Sequence, residues 1–493
     1  MPRFKFFLCS LCAMSIATAA AAQQKMVLQD VVGMAQRSSP SYYRAQSRAL
    51  NSLYAYRYFK AGQMPRLVLN FNNASSPMGE TTTIEQPNGE IEVRRRSTSN
   101  STLGLGLQQI VPWTGGIFSV RSDLGRVDVF SPESKTSYWA TPFTLNYNQP
   151  TFLYNPYNWE RKISPLMYEE SKRTYVEDLE RVALDASAFF FAALSAQTQE
   201  KIYQLNVQNT DTLYKISKGR FDLGRIAENE LLQIELSLLN ARNSLEQATL
   251  QKEIAYQELK RFLNMPKDAD IELTLPNNTP TFDVPLDKAV AEAGNNRQSV
   301  LEFRRRRLEA EQDVAQARGN SGYELNLSAQ MGQAGGGLDP STIKGAYSGG
   351  EVQQRFNVGV SIPVMDWGRA RNRVRQAKAN RDLIEIDVQQ AERSFEQEVY
   401  LQTQQFNIQK KLLASATKAD TIAQLRYEIT KQRYLIGKIS ITDLNLAQQE
   451  KDQASQGYIS ALRNFWNAYY TVRRLTLYDF ERDGKIRYEF NEE

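Results

Sequence analysis

The chain of 493 residues contains no histidine. The commonest general base and the commonest metal ligand are therefore missing. Its only two cysteines, Cys9 and Cys12, sit in the apolar stretch "FFLCSLCAMSIATAAAA" behind Arg3 and Lys5. A basic start, an apolar run and small residues at Ala20 and Ala22 predict a secretory signal peptide over 1–22, cut after Ala22. Neither cysteine has the small residues before it that lipid attachment needs, so no lipid anchor is expected. With the signal removed no cysteine remains, which excludes disulfides, thiolate catalysis and cysteine metal sites.

Charge of one sign is lacking too. Lys and Arg number 60 against 55 Asp and Glu, a formal +5 that falls to +3 without Arg3 and Lys5, and the signs are interspersed. That is no nucleic-acid binder. Beyond the signal no apolar run reaches eighteen residues, so no transmembrane helix is expected. No paired-carboxylate motif stands out, and the glycine-rich stretches lack a following Lys-Ser/Thr. These absences predict a protein that is not an enzyme and holds no cofactor or metal.

What is present is a repeat. "YKISKGRFDLGRIAENEL" from Tyr214 returns as "YEITKQRYLIGKISITDL" from Tyr427, 213 residues on. Lys218/Lys431, Arg220/Arg433, Gly224/Gly437 and Leu231/Leu444 coincide, and Pro150 meets Pro363 at the same offset. Earlier in each half the offset is 258, pairing Leu28 with Leu286, Ala35 with Ala293 and Leu67 with Leu325. The chain is thus a tandem duplication. The first half spans 23–265, 266–283 links, the second half spans 284–478, and 479–493 is a tail. The first half carries 45 extra residues between Leu69 and Pro150.

Each half reads helix, strands, then a long helix pair. The opening helices are expected over Leu28–Lys60 and Leu286–Arg318. Strands are expected within about 66–150 and 322–363, where Leu67, Leu69 and Phe71 alternate with Val68, Asn70 and Asn72, and Phe356, Val358 and Val360 alternate with Asn357 and Gly359. "NNASSPMGETTTIEQPNGEIEVRRRSTSN" and "GQAGGGLDPSTIKGAYSGGE" read as mobile polar loops. The extra residues contain another strand, a Pro/Gly turn and a further strand. Asn158–Ser217 and Gly368–Thr430 read as helices of roughly 90 Å at 1.5 Å per residue, interrupted only at Pro165. Ala377, Ile384 and Ala391, then Val399, Phe406 and Leu413, recur every seven residues as in coiled coils. The pairs turn at Gly224 and Gly437, where glycine tolerates positive φ.

Exported strands with one apolar face, and no transmembrane helix, point to an outer-membrane β-barrel. Four to six strands per chain cannot close such a barrel alone, so copies must pool them. A periplasmic or surface structural coiled coil is the alternative. "RRRR" at 304–307 reads as a solvated helix face, and "RRR" at 94–96 as part of a surface loop. Trp113, Tyr138, Trp139 and Tyr347 suit either interfacial aromatic belts or packing.

The paired turns, the "NQPTF" and "SIPVMDWG" strand ends and the doubled architecture resemble the TolC family of outer-membrane channel proteins over essentially the whole mature chain. The resemblance implies a mainly α fold with a β-barrel portion: a homotrimer in outer-membrane lipid whose barrel continues into a periplasmic α-helical barrel. Around this runs an equatorial belt that includes Ile271–Leu275 and the C-terminal segment. It further implies an exit duct of a tripartite efflux pump or type I secretion system, served by a periplasmic adaptor protein and an RND or ABC-type inner-membrane pump. By the same resemblance Glu230, Asp443 and Tyr434 belong to the periplasmic aperture, and three copies of the two acids would favour cations. Gly224, Arg225, Gly437 and Lys438 form the turns that contact the adaptor, the two basic residues alternatively pairing with Glu230 and Asp443. As helix-start acids, Glu230 and Asp443 equally suit the macrodipole. Ile439 and Leu446 depart from the family's best-known member, which has a gating arginine and a second aspartate there.

Overall fold

A computed structural model describes residues 24–85, 87, 89–131, 133–276, 279–280, 282–436 and 438–488; the expected signal, 1–22, lies outside them. The elements run β1 (Gln24–Met26), α1 (Leu28–Ser38), α2 (Pro40–Gly62), β2 (Arg66–Glu85), β3 (Ile91–Val111), β4 (Gly116–Ser131), β5 (Lys135–Gln149), α3 (Pro156–Asp222) and α4 (Glu228–Leu263). After β6 (Ile271–Leu273) come α5 (Leu286–Asn296), α6 (Gln298–Gly319), β7 (Glu324–Gly337), α7 (Thr342–Gly349), β8 (Glu351–Ser361), α8 (Arg369–Leu435) and α9 (Ile441–Thr476). Two short strands, β9 (Tyr478–Asp479) and β10 (Gly484–Lys485), close the described chain.

The duplication is visible in the boundaries. Both ends of α8 and α9 lie 213 residues beyond those of α3 and α4, and both ends of α5 lie 258 beyond those of α1. The long helices have 67 residues each, about 100 Å of helix. Helix α3 continues through Pro165. The opening helices differ from expectation, since each is two helices broken at Ser39 and at Arg297, one duplicated position. At the first break Pro40 takes a helix start, where its missing N–H costs nothing, and the Ser39 hydroxyl accepts from the Tyr42 N–H at 3.0 Å. Arg297 has no proline after it yet adopts extended backbone at φ −70°. The break is therefore a property of the packing and not of one proline.

Contacts divide the described residues into two units, one formed by those within 24–46, 176–296 and 398–488, the other by those within 47–175 and 297–397. The second contains an antiparallel six-stranded sheet in the order β2-β3-β4-β5-β7-β8. Strands β2 and β5 correspond to β7 and β8, so the inserted residues supply β3 and β4, and both join the same sheet. Much of the first expected loop is strand: β2 and β3 stay paired from Glu80↔Arg96 to Glu85↔Ile91, beyond a bulge at Ser76. The second expected loop contains α7, whose Ala346 sits on Gly335.

Side chains alternate across this sheet with period two. One face carries Leu67 opposite Leu107, Leu107 opposite Val120, Val120 opposite Leu145 and Leu145 opposite Met331. Most of these apolar groups are exposed. The opposite face carries Asn, Gln, Ser and Thr with the Arg121–Asp123 ion pair at 2.6 Å. Gly104, facing Asp123, leaves no room for a Cβ beside that pair.

In the first unit, Val399, Phe406, Leu413, Tyr427 and Tyr434 form a buried heptad line along α8. Two side-chain amides fasten the inter-repeat linker. Gln197 on α3 accepts from the Leu273 N–H at 3.1 Å and donates to its carbonyl at 2.8 Å. Asn407 on α8 does the same to Val284, at 3.2 and 3.1 Å. Strand β6 pairs in parallel with β1. Elsewhere in this unit, wholly buried Glu180 of α3 accepts from Arg473 of α9 at 3.0 Å and from the Tyr488 hydroxyl at 2.6 Å. Arg473 also bonds Asp479 at 2.5 Å.

Candidate functional site: the paired helical turns

The chain reverses direction twice by the same device. After α3, Gly224 takes φ +68° and the Arg225 N–H reaches back to the Arg220 carbonyl at 2.8 Å. After α8, the Lys438 N–H reaches the Arg433 carbonyl at 3.0 Å. This six-to-one bond satisfies a carbonyl that a helix end leaves free, and the left-handed residue it requires favours glycine. Gly437, the expected second turn glycine, lies outside the described residues.

The two acids have diverged. Asp443 is the third residue of α9, where its carboxylate accepts from the Ser440 N–H at 3.2 Å and from the Ser440 hydroxyl at 2.8 Å. The Ser440 hydroxyl in turn accepts from the Asp443 N–H at 3.2 Å. This is a capping box, which satisfies orphan donors at a helix start. Glu230 occupies the matching place in α4, but the cap there is Ala227, which offers no side-chain oxygen. Asp443 is exposed and Glu230 half-buried. Arg225 and Lys438 are exposed as well, and among the described residues neither is ion-paired with Glu230 or Asp443.

Tyr434 does not face open solvent in the single chain. It is 2% exposed, packed with Leu213, Ile234, Tyr427, Ile441, Leu444 and Ala447, and half-buried Ile439 rests against that cluster. Its hydroxyl lies 3.3 Å from the Ser217 hydroxyl. Arg220 stands 5.9 Å from the Tyr434 ring centre, within cation–π range, and donates to the Leu435 carbonyl at 2.8 Å. Arg220 and Ser217 thus tie the end of α3 to the end of α8, a link that reading the sequence missed. The signal lies in the repeated Arg220/Arg433 pair, which marks the duplication without showing what Arg220 touches.

Other expectations change in the sheet-bearing unit. The 304–307 run is not a simply solvated face: Arg305 bonds Glu170 at 2.7 Å, and Arg307 bonds Glu385 at 3.0 Å and Glu392 at 2.8 Å. Alternate arginines on α6 reach opposite ways, to α3 and to α8. Trp139 does not join the apolar face, since its register partners are Gly125 and Gly336 and its indole covers Gly125. Tyr347 approaches the Ser122 hydroxyl at 3.4 Å, and Trp113 is exposed. The side chains of 94–96 lie outside the described residues. Among the described residues no helix is long and apolar enough to cross a membrane.

The described residues hold one amphipathic antiparallel sheet and four long helices, the helices in two tandem pairs. The chain belongs to the outer membrane efflux protein family, whose model matches residues 118–265 and 289–476, more than half of the sequence. No curated protein matches it. Among solved structures it is similar to the Campylobacter jejuni CmeC outer membrane channel, at 16% identity and TM-score 0.63, covering 94% of this chain and 88% of that one. It is also similar to the outer membrane protein VceC from Vibrio cholerae, at 13% and 0.63, covering 93% and 97%. A membrane protein from Pseudomonas aeruginosa gives 14% and 0.66, covering 94% and 92%. The protein is an outer-membrane efflux channel with periplasmic helices, working with adaptor and inner-membrane pump partners, and not an enzyme.

Proposed function

We propose that three copies assemble into one continuous exit duct, with the sheets closing a barrel in outer-membrane lipid and the helices closing a periplasmic tunnel. The observation that carries this reading is a second heptad line on α8. Two residues on from the buried line, Leu401, Ile408, Ile422 and Ile429 recur at multiples of seven, and all are exposed in the single chain. A helix with one buried and one bare apolar line has a neighbour on one side only, and a closed ring of helices supplies the other. Leu232, Leu236 and Leu239 on α4 form a further bare apolar face for the next copy. The outer edges of β2 and β8 are likewise unpaired in the single sheet, and a bare edge invites another strand.

In this reading the helical turns form the periplasmic mouth. Gly224, Arg225, Gly437 and Lys438 face the adaptor, and the pump is of RND or ABC type in an efflux or type I secretion assembly. Glu230 and Asp443 lend the mouth negative charge, and Tyr434 braces it from within the helix packing. Negative-stain imaging of the detergent-purified protein tests the assembly. A threefold tube on the order of 140 Å long is expected from the helices plus a membrane-spanning barrel; a monomer or a thin rod would overturn it. Changing Glu230→Gln together with Asp443→Asn should lower cation selectivity in planar bilayers, and unchanged selectivity would remove both from the constriction.

A further inference from the structure

Duplication alone would give each copy four strands, the pairs β2/β5 and β7/β8. The inserted β3 and β4 raise the number to six. These two strands are built as wall. On the polar face one row crosses the whole sheet without a break, from Arg66 to Gln108, Ser119, Asn146, Gln330 and Arg355. On the apolar face Leu107 and Val120 of the inserted strands stand between Leu67 and Leu145 of the duplicated ones. A hairpin folded away from a barrel would have no reason to keep both polarities in register with its neighbours, because a one-residue slip exchanges the faces.

The connections agree. Val111 and Gly116 are joined by a tight turn in which the Gly115 N–H bonds the Val111 carbonyl at 2.8 Å. Asn155, just ahead of α3, donates to the Pro112 carbonyl at 2.7 Å. The inserted turn is thereby fastened beside the start of α3.

We propose that the exit of this channel is an eighteen-stranded barrel, six strands from each of three copies, in place of the twelve that the duplicated strands alone would supply. Barrel diameter grows roughly in proportion to strand number, and barrels of 16–18 strands leave an open aqueous channel. At equal strand tilt the exit is about half again as wide as a twelve-stranded one. Its water-facing wall is mostly amide and hydroxyl, so it is suited to bulky hydrophilic cargo of either charge sign. The exit is then a wide, weakly selective outlet, and selection rests at the periplasmic end. This proposal depends on the threefold duct reading above.

Single-particle cryo-electron microscopy of the protein in lipid nanodiscs separates the two ideas. Threefold particles with eighteen wall strands are expected. Threefold particles with twelve wall strands, β3 and β4 lying outside, would overturn the wide exit and leave the duct standing. Particles without threefold symmetry would overturn both. A second measurement needs no symmetry. In the chain without 1–22, which has no cysteine, reconstituted in liposomes, Ser119→Cys and Thr102→Cys should react with a water-soluble maleimide at least several-fold faster than Val120→Cys and Leu103→Cys. Equal rates at neighbouring positions would remove β3 and β4 from the wall.

Discussion

At the residue scale, the buried ion pair between Glu180 and Arg473 is the most exacting feature of the first unit. Glu180 is fully buried, and a buried carboxylate is tolerated because a guanidinium and a phenol satisfy it. Arg473→Met leaves that charge unpaired, and the expected loss is roughly 3–5 kcal/mol, read by denaturant unfolding in detergent. The pair replacement Glu180→Leu with Arg473→Met should cost less than Arg473→Met alone, since the wholly buried carboxylate is gone and only Asp479 loses its guanidinium. The capping box at Ser440 is milder. Ser440→Ala should cost about 1 kcal/mol, whereas Ala227→Ser at the uncapped start of α4 should gain a similar amount if its oxygen reaches the Glu230 N–H. Local hydrogen exchange at the starts of α4 and α9 reads both. The partners of Glu180, which lie some 300 residues away in the chain, were not legible beforehand, whereas the Ser440-x-x-Asp443 spacing is itself a helix-start signature. Sequence spacing brings Glu230 and Asp443 to equivalent places, but the atoms that hold one and not the other depend on whether serine or alanine stands three residues earlier.

At the element scale, period was a better guide than composition. The alternation of Leu67, Leu69 and Phe71 with asparagine located strand β2 correctly, while polar composition disguised its continuation as a loop. Thr, Ser and Arg are at home in a strand once a partner supplies the ladder bonds, and that partner is a distant stretch of chain. In the same way Gly335 and Gly337 looked like loop residues, although they leave space for Ala346 and Thr342 of α7. Two heptad lines on one helix were harder to see, because only the line containing Phe406 has large aromatic members. Their different surroundings give a prediction. Ile422→Lys with Ile429→Lys, on the bare line, should abolish assembly on size-exclusion chromatography while leaving the circular-dichroism helix signal intact. Phe406→Ala, on the buried line, should instead cost roughly 3–5 kcal/mol of folding stability.

At the scale of the whole molecule, duplication and one insertion account for the order of elements, and both could be read from offsets alone. What offsets could not reveal was that the insertion enters the sheet. pH should act on the molecule from both sides. Burial alone would raise the Asp479 carboxyl, but the charge and hydrogen bond of Arg473 outweigh it and hold the group below the ordinary carboxylate range. Its stabilising contribution is therefore complete above the unfolded value near 3.9 and lost as pH falls through the lower folded one. At the alkaline end, burial pushes the Tyr469 phenol up to about 12. Its contribution is complete below about 10 and lost as pH rises through 12. Unfolding temperature should therefore hold through the neutral range and drop at each edge, with Asp479→Asn flattening the acid edge alone.

The shared lengths of α3 with α8 and of α4 with α9 have a hereditary consequence. Once two copies of a helix pair stand side by side in one chain, neither can be lengthened without its twin, because the shorter would leave a notch at the turns. A deletion in one half is a defect until the other half repeats it. The sheet carries no such obligation, since a hairpin added to one half simply takes its place between existing strands. Change in this lineage should therefore collect in the sheet, and the helices should keep a common measure long after their residues have ceased to match.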